Sequence, residues 1–357
     1  MYPALTVAAL VSADARDRVA YVGAPDSLEM RLAAEQDVAF VAVRATGWDR
    51  SRPLTLLSGA GRAVASTVRC LGLLRRDRTD VVVGFGGYVS VPLSLAAILS
   101  GVPLVLHEQN SVPGVANRLL ARFAHTVCVT YEDSVQLLPR PERAMVTGDP
   151  VRDSVLRADR AAGRKAFGVE TDETLLLVFG GSRGARHLNS ALVGLREGLA
   201  AIERRRVVHI AGPAEARTVR ETLESTGGVP PWWHVLEYVD EMGDLLAASD
   251  LVVCRSGATT LAEISVLERA SILVPYPYAT DDHQTLNARP FARAGASVVI
   301  ADAELDEQRF GETVLGLLTN PAARATMESA ASSLGRPDAA SAVLKAVVAA
   351  AEGRQVA

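Results

Sequence analysis

The 357-residue sequence has little cysteine, no excess of basic charge and no secretory signal, and each absence excludes a class of protein. Its three cysteines (Cys70, Cys128 and Cys254) are widely spaced in apolar runs, which argues against a disulfide framework or a zinc site and favours a reducing cytosol. Lys and Arg number 37 against 41 Asp and Glu, so a net charge of −4 excludes a generic basic nucleic-acid binder. The opening MYPALTVAAL lacks the basic start and small-residue cleavage site of a secretory signal.

One uncharged stretch, Val81 to Leu106, is long enough to cross a bilayer, for which about 20 residues suffice. Glycines and prolines divide it into pieces of strand and helix length: Gly84, Gly86, Gly87, Pro92, Gly101 and Pro103. We therefore predict a buried strand, a glycine turn, a helix and a second buried strand, because strands of a covered parallel sheet read as continuous apolar runs.

Short β-branched runs alternate with helical stretches along nearly the whole chain. The predicted strands are Arg18–Gly23, Ala39–Val43, Asp80–Phe85, Pro103–His107, Thr126–Thr130, Thr174–Phe179, Arg206–Ile210, His234–Leu236, Asp250–Cys254, Ser271–Pro275 and Ala296–Ile300. The helical stretches between and after them include Leu54–Arg76, Arg186–Ile202, Asp282–Ala294 and Asp338–Ala351. This alternation predicts the α/β class with two doubly wound, Rossmann-like parallel sheets, in keeping with about 150 residues per domain.

The polar run Leu138–Arg143 and the turn Gly148–Pro150 mark the joint between the two sheets. We predict an N-terminal domain over residues 1–147, a C-terminal domain over 148–335, and a final helical segment, 336–357, that packs back on the first domain. A doubly wound domain normally opens with its central strand, whereas here a helix-like run follows Pro3 at once. We therefore expect either an unusual fold or a first domain that lacks its first strand.

The segment Phe179–Ala185 (FGGSRGA) lies between an apolar strand and a helix. Glycines at such a turn let backbone N–H groups approach a phosphate, and the helix N-terminus adds positive potential. The segment matches neither a Walker A nor a GxGxxG pattern, so it indicates a diphosphate cradle but equally fits a tight structural turn.

The segment Asp250–Glu263 (DLVVCRSGATTLAE) predicts a buried strand, a Ser-Gly turn and a helix that opens with Ala258, Thr259 and Thr260. Free N–H groups and hydroxyls at that terminus suit a diphosphate. Glu263 lies four residues after Thr259 on the same helix face and would accept hydrogen bonds from ribose hydroxyls. The alternative is a capped helix with an exposed glutamate.

A third segment, Pro275–Ala288 (PYPYATDDHQTLNA), clusters carboxylate, amide and imidazole groups before a helix. It is a poor metal site, because no second ligand-rich segment and no Asp-x-Asp occur in the chain. Sugar hydroxyls suit these groups better, although Asp281 and Asp282 also fit plain helix capping.

In the first half, Gly84–Ser90 and His107–Ser111 both follow apolar strands, at the edge where open α/β sheets bind ligands. His107 and Glu108 are titratable groups at that edge. A lone histidine there is more often structural than catalytic, but four adjacent polar side chains are hard to bury without partners.

Together these residues resemble the MurG family of bacterial glycosyltransferases. The matching segments, in the family's order, are GFGGYVSVP (Gly84–Pro92), HEQNSVPGVANRLLA (His107–Ala121), TGDPVR (Thr147–Arg152), FGGSRGARHLN (Phe179–Asn189), VVCRSGATTLAE (Val252–Glu263) and ATDDHQTLNA (Ala279–Ala288). The resemblance implies a GT-B fold, in which two Rossmann-like domains face a cleft. It also implies inverting transfer of N-acetylglucosamine from UDP-GlcNAc to the C4 hydroxyl of undecaprenyl-diphosphate-linked N-acetylmuramyl-pentapeptide (lipid I), which gives lipid II for peptidoglycan.

By the same resemblance, uracil is expected near Val239 and Arg152, the phosphates at Ser182 and the start of the 258 helix, ribose at Glu263 and the sugar at Gln284. The full donor set that it implies is Asn110, Arg152, Ser182, Val239, Ala258, Thr259, Thr260, Leu261, Ala262, Glu263 and Gln284. Tyr88 and His107 match acceptor-side positions. No metal and no cofactor are implied.

The family is expected to carry a first strand, a glycine-rich loop reading roughly GGTGGH and the histidine usually considered its base, ahead of the residues that match Tyr2–Leu5. These would precede Met1, which we interpret as a start assigned too late. Within this sequence His107 and Glu108 are the candidates for the general base.

Two alternatives stay open: a truncated, catalytically impaired paralogue that binds a UDP-sugar or acts as a scaffold, and a relative such as a UDP-GlcNAc 2-epimerase. The lipid acceptor implies a peripheral protein at the cytoplasmic face of the cell membrane, with no nucleic-acid partner. Residues Cys70–Leu74, beside Arg69, Arg75, Arg76 and Arg78, predict an apolar patch ringed by arginines, or else an ordinary buried helix face.

Overall fold

A computed structural model of the chain describes residues 1–12, 18–43, 55–87, 89–181, 185–306 and 308–353. The chain divides into two compact units, one formed by Met1–Arg152 with Arg336–Ala357 and the other by Asp153–Gly335. We call them the N-terminal and the C-terminal unit. The division falls after Arg152, whereas the sequence analysis places it at residue 147.

The N-terminal unit begins with a helix and continues with alternating strands and helices. Its elements up to the division are α1 (Tyr2–Ser12), β1 (Ala20–Gly23), α2 (Leu28–Glu35), β2 (Ala39–Ala42), α3 (Thr55–Asp77), β3 (Val82–Gly84), α4 (Ser90–Ser100), β4 (Leu104–Glu108), α5 (Val115–Leu120), β5 (Thr126–Val129) and β6 (Ala144–Val146). Two short 3-10 helices, Glu132–Leu137 and Pro141–Arg143, precede β6.

Besides two short 3-10 helices, Thr280–Asp282 and Asp302–Glu304, the C-terminal unit contains six strands and ten α-helices among the described residues. They are α6 (Asp153–Leu156), α7 (Arg160–Ala166), β7 (Thr174–Phe179), α8 (Arg186–Gly194), α9 (Arg196–Ala200), β8 (Arg205–Ile210), α10 (Ala216–Ser225), β9 (Trp233–Leu236), α11 (Met242–Ala248), β10 (Leu251–Cys254), α12 (Ala258–Val266), β11 (Ser271–Leu273), α13 (His283–Ala294), β12 (Ser297–Val299), α14 (Gln308–Thr319) and α15 (Pro321–Ser332). Helix α16 (Ala339–Ala351) returns to the N-terminal unit.

All strand pairs in both units are parallel. In the C-terminal unit the order is β12-β11-β10-β7-β8-β9, and the strands are buried because helices cover both faces. In the N-terminal unit β3-β4-β5-β6 form one sheet and β1-β2 another. Among the described residues no strand pairing joins β1 to β3. The strands of the N-terminal unit are therefore divided into two sheets, at the position where a doubly wound domain has its central strand.

The two-domain α/β fold predicted from the sequence is confirmed, and each of the eleven predicted strands forms. Strand β6 was not predicted, because it is a short edge strand that follows a proline-containing polar run and is only half-buried. The membrane-like stretch forms β3, α4 and β4, and no helix in the described part of the chain is long and apolar enough to cross a membrane.

Helix α16 packs on the N-terminal unit through a row of small apolar side chains. Val343, Ala346 and Val347 join Val105 of β4 and Cys128 of β5 in one buried cluster. The returning helix therefore covers one face of the four-stranded sheet.

Candidate functional site

The C-terminal sheet changes direction between β7 and β10. From β7 the chain proceeds outward to β8 and β9, and then crosses to β10, β11 and β12 on the other side. Open α/β sheets bind ligands at such a switch point, in the crevice beyond the carboxyl ends of the strands. The two predicted phosphate segments follow these two strands, so the fold places both at that crevice.

The turn after β7 needs glycine for a close approach. A Cβ on Gly180 would lie 2.0 Å from the Cβ of Ala185, and Gly181 has a left-handed φ of +76°. Any larger residue at position 180 would push the turn away from α8. The predicted phosphate contact Ser182 lies outside the described residues.

The turn after β10 leads directly into α12. Gly257 is the N-cap and supplies no side-chain oxygen, so the first-turn N–H groups of Ala258 and Thr259 receive no capping side chain. Such a helix end attracts anions, since its orphan N–H groups carry partial positive charge. The arrangement fits a diphosphate, and Leu261 is buried while Thr260 and Ala262 are half-buried.

Glu263 lies on the second turn of α12 and is only 7% exposed. The alternative of an exposed glutamate is therefore wrong. A buried carboxylate is costly unless it is hydrogen-bonded, so its position four residues after Thr259 favours a role in holding a polar partner.

Hydrogen bonds hold the β10 turn against the start of α13. The Ser256 hydroxyl donates to the backbone oxygen of Gln284 at 2.8 Å, and the Asn287 amide donates to the backbone oxygen of Ser256 at 3.4 Å. The side-chain oxygen of Gln284 accepts from the Tyr276 N–H at 2.9 Å. Gln284 is thus oriented by a hydrogen bond to its oxygen, and the donors of its amide are the two hydrogens of the NH2 group.

Asp281 and Asp282 both adopt a left-handed φ of 52° before α13. Asp282 makes no side-chain hydrogen bond to the helix backbone and instead accepts from the Thr285 hydroxyl at 2.6 Å. Aspartate tolerates this conformation better than most residues. Simple backbone capping is therefore wrong for Asp282, and both side chains are exposed.

The segment after β9 carries the predicted uracil contact. Val239 is half-buried beside Tyr238, whose side chain is largely exposed. In strand order β9 lies at the sheet edge, so this segment flanks the crevice from one side.

Arg255 was not predicted as a functional residue, although it lies within the second predicted phosphate segment. Arg255 follows β10, is only 7% exposed, and its Nη1 lies 2.5 Å from Oδ1 of Asp302 after β12. The sequence signal that could have identified it is a charged residue directly after a wholly apolar strand. Such a strand is buried, so the charged residue next to it needs a polar partner.

In the N-terminal unit Glu108 ties together the loop after β4. It is 3% exposed and accepts hydrogen bonds from the backbone N–H groups of Asn110 and Gly114, each at 3.0 Å, and from the Asn117 amide at 2.8 Å. Its carboxylate holds the loop and the start of α5, and is not available to a substrate hydroxyl.

His107 is fully buried beside Phe85. Its Nε2 lies 2.9 Å from the backbone oxygen of Gly148, to which it donates, and its Nδ1 lies 4.0 Å from Oδ1 of Asp149. Burial lowers the pKa of His107 to about 4, partly offset by the Gly148 hydrogen bond. The buried ring positions the turn after β6, and its burial opposes the role of general base.

The remaining predicted residues of this unit differ in accessibility. Asn110 is half-buried, with its amide donating to Glu108 at 3.2 Å. The Arg152 guanidinium stacks over the Tyr2 ring, 4.4 Å from its centroid. Tyr88 lies outside the described residues.

The predicted apolar patch at Cys70–Leu74 is wrong in its apolar part. Cys70 and Leu74 are buried in the core between α3, α4 and β3, whereas Arg69 and Arg75 are exposed. Exposed apolar residues occur instead in three i, i+4 sets on successive helices: Val64 and Val68 of α3, Leu95 and Leu99 of α4, and Val115, Leu119 and Phe123 at α5.

The chain matches known proteins over nearly its whole length. Residues 1–129 match the glycosyltransferase family 28 N-terminal domain, and residues 175–343 match the family 28 C-terminal domain. A protein of Desulforamulus reducens named UDP-N-acetylglucosamine–N-acetylmuramyl-(pentapeptide) pyrophosphoryl-undecaprenol N-acetylglucosamine transferase is 36% identical, over 97% of this chain and 94% of its own.

Two solved structures share the fold. The crystal structure of Acinetobacter baumannii MurG has a TM-score of 0.76 and 27% identity, and covers 97% of this chain and 95% of its own. A putative UDP-N-acetylglucosamine 2-epimerase of Listeria monocytogenes has a TM-score of 0.72 at 18% identity, and covers 99% of this chain and 95% of its own. At 18% identity, the similarity to the second structure supports the fold and carries no conclusion about function.

Proposed function

Because this chain belongs to the MurG family within glycosyltransferase family 28, we propose that it transfers N-acetylglucosamine from UDP-GlcNAc to lipid I and so forms lipid II. The observation that carries the proposal is the pair of glycine turns at the β7/β10 switch point, one of which opens the uncapped helix α12. A nucleoside diphosphate is the ligand whose charge that site accommodates.

The chemistry requires a departing diphosphate to be stabilised. As the bond to the sugar breaks, negative charge grows on UDP, and the uncapped N–H groups at the start of α12 are the donors that would stabilise it. Preorganised donors of this kind act without reorganising during the reaction, which makes them effective in a site shielded from water.

Each donor-side residue has a proposed partner. Thr259 and Thr260 bind phosphate oxygens with Ser182, and Glu263 accepts from the ribose hydroxyls. Gln284 donates its NH2 group to the sugar, in keeping with the orientation imposed by Tyr276. Val239 contacts the uracil, whereas Arg152 is engaged with the Tyr2 ring of the N-terminal unit.

The acceptor hydroxyl must lose a proton to a base, which is typically worth 10²–10⁴-fold in rate. Inside the N-terminal unit His107 is hydrogen-bonded to Gly148, and Glu108 is hydrogen-bonded to the loop after β4 and to α5. We therefore assign both residues the role of positioning these segments. Asn110, which Glu108 holds in place, and Tyr88 are the residues proposed to face the sugar or the acceptor.

We further propose that the enzyme is a peripheral protein at the cytoplasmic face of the cell membrane. The exposed apolar side chains of α3, α4 and α5 form the contact surface, with Leu99 at 68%, Val64 at 64% and Phe123 at 62% exposure. Exposed arginines on the same helices, Arg69 and Arg118 among them, favour anionic lipids.

The direct test is incubation of the full chain with UDP-GlcNAc labelled in the sugar and a lipid I analogue. Label should appear in the lipid product, and UDP should be released in equal amount. If UDP-GlcNAc is instead converted to its 2-epimer in the absence of the lipid, the chain is an epimerase and the proposed transferase function is wrong. If UDP binds but no product of either kind forms, the chain is a UDP-sugar-binding protein.

A further inference from the structure

A network of charged side chains links the turns that follow four strands of the C-terminal sheet. It runs from Arg255 after β10 to Asp302 after β12, and from Asp302 to His187 in the first turn of α8. Helix α8 follows the glycine turn of β7. The network was not foreseen, because its members lie far apart in sequence.

The Arg255 guanidinium forms the inner end of this network. Its Nη1 donates to the backbone oxygens of Val274 at 3.3 Å and Pro275 at 3.2 Å, where the chain leaves β11, and its Cζ lies 5.6 Å from the centroid of the Tyr276 ring. Arg255 therefore joins the β10 turn to the segment that carries Gln284. The same Nη1 lies 2.5 Å from Oδ1 of Asp302.

His187 forms the outer end and faces a carboxylate with each ring nitrogen. Its Nδ1 lies 2.9 Å from Oδ2 of Asp302, and its Nε2 lies 2.9 Å from Oδ2 of Asp306. A carboxylate only accepts, so both contacts are hydrogen bonds at once only when the imidazole is protonated and both of its nitrogens donate. The hydrogen bonds to Asp302 and Asp306 raise the pKa of His187, against a small opposing effect of burial.

Asp302 contacts both cationic side chains, Arg255 and His187. Burial acts to raise the pKa of its carboxyl, but the hydrogen bonds from His187 and Arg255 outweigh it and lower that pKa below its usual value. Two cations and two carboxylates alternate along the network, Arg255, Asp302, His187 and Asp306, so its charges cancel when His187 is protonated.

We propose that His187 is a positioning residue of the donor site, which bridges Asp302 and Asp306 and thereby fixes the turns after β7, β10 and β11 around UDP-GlcNAc. This inference rests on the proposed function, because it assigns a role within the same site. His187 is one-third exposed and touches the donor only through the turns that it holds.

The bridge depends on pH. A neutral imidazole keeps one donor, so a ring lone pair would then face a carboxylate and that link would be lost. Among the described residues, two further ion pairs involve α8 and α14: Arg186 lies 2.9 Å from Glu215, and Arg309 lies 2.8 Å from Glu304. The affinity for UDP-GlcNAc is therefore full below the pKa of His187 and declines as the pH rises through it.

The test is calorimetric binding of UDP-GlcNAc to the full chain, without acceptor, at a series of pH values. UDP-GlcNAc is suitable because its diphosphate is doubly esterified and does not titrate near neutrality. His187→Ala should bind about tenfold more weakly at low pH, the scale of one charge-assisted hydrogen bond, and its affinity should no longer depend on the His187 titration. His187→Arg keeps a permanent cation with several donors, so it should retain the affinity across the whole pH range.

Asp172→Asn is the matched control, because Asp172 pairs with Arg204 at 2.6 Å at the amino ends of the strands, on the opposite edge of the sheet. It should leave affinity unchanged. Unaltered affinity and pH dependence in His187→Ala would overturn the inference while the proposed function stands. If the unaltered chain itself fails to bind UDP-GlcNAc, both proposals are wrong.

Discussion

The Glu108 carboxylate accepts a hydrogen bond from the Asn117 side chain at 2.8 Å, and both residues are buried. This contact ties the end of β4 to helix α5 across the loop that contains Asn110 and Gly114. The loop thus depends on a carboxylate that lies inside the unit, and the residue beside it in sequence, His107, is buried as well.

Glu108→Gln should therefore destabilise the fold. The amide keeps only one oxygen, so its NH2 group would face the N–H group of either Asn110 or Gly114 and leave that donor unsatisfied, and a buried unsatisfied polar group costs about 1–3 kcal/mol. We expect a decrease of that size in the free energy of unfolding measured in urea. Glu132→Gln, at an exposed position, is the control. A loss of transfer rate of 10²–10⁴-fold with unaltered stability would instead make Glu108 a general base.

His107 should make stability depend on pH in the acid range. Burial lowers its pKa from 6.5 to about 4 in the folded chain, so the unfolded chain binds more protons between these values. Stability is then full above pH 6.5 and falls as the pH is lowered toward 4, by at most about 1.4 kcal/mol per unit.

Chemical unfolding of the full chain between pH 4 and 7 measures this slope. The slope should be smaller in His107→Asn, and it should persist in His125→Asn, at a half-buried histidine of the same unit. Equal slopes in the unaltered chain and His107→Asn would show that the ring titrates alike in both states.

The turn after β7 gives a prediction for donor affinity. Gly180→Ala would place a Cβ 2.0 Å from that of Ala185, so the turn must move away from α8. We expect the KM for UDP-GlcNAc to rise at least about tenfold, which corresponds to 1.4 kcal/mol. Gly194→Ala is the control in α8 itself, because nothing lies within 4 Å of the added Cβ. An unchanged KM in Gly180→Ala would remove this turn from the donor site.

Strand ends were predictable from sequence because parallel strands bury both faces. Residues 175–179 and Leu251–Cys254 are apolar throughout, so the carboxyl ends of these runs, and the glycine turns that follow, could be located without a structure. Strand β6 was not predicted because it lies at the edge of the sheet and is half-exposed, so its sequence has no continuous apolar run.

Side-chain environment was harder to predict than strand position. Cys70 and Leu74 face the core and Val68 faces outward, a choice decided by how α3 packs on α4, which local composition does not reveal. His107 and Glu108 look like an exposed catalytic pair in sequence, but their partners Gly148 and Asn117 come from other segments.

Glu263 provides a test of ribose recognition. If its buried carboxylate accepts from the ribose hydroxyls, Glu263→Gln should weaken UDP binding by about 10–100-fold, since hydrogen bonds to charged groups contribute about 1.5–3 kcal/mol. The comparison with 2′-deoxy-UDP decides the partner, because the substitution should cost less against a ligand that lacks that hydroxyl. An equal loss with both nucleotides would place the Glu263 partner elsewhere.

Leu99→Asp tests the proposed membrane surface. Leu99 is 68% exposed on α4, so the substitution should change the free energy of unfolding by no more than about 0.5 kcal/mol. Burying a leucine side chain is worth about 1.5–3 kcal/mol, so its replacement by a charge should weaken binding to anionic vesicles by at least tenfold. Sedimentation with vesicles measures this, with Val348→Asp on α16, at a residue 42% exposed, as the control. Equal sedimentation of both variants would mean that α4 does not face the lipid, whereas loss in Leu99→Asp alone would assign the acceptor's membrane to this side of the N-terminal unit.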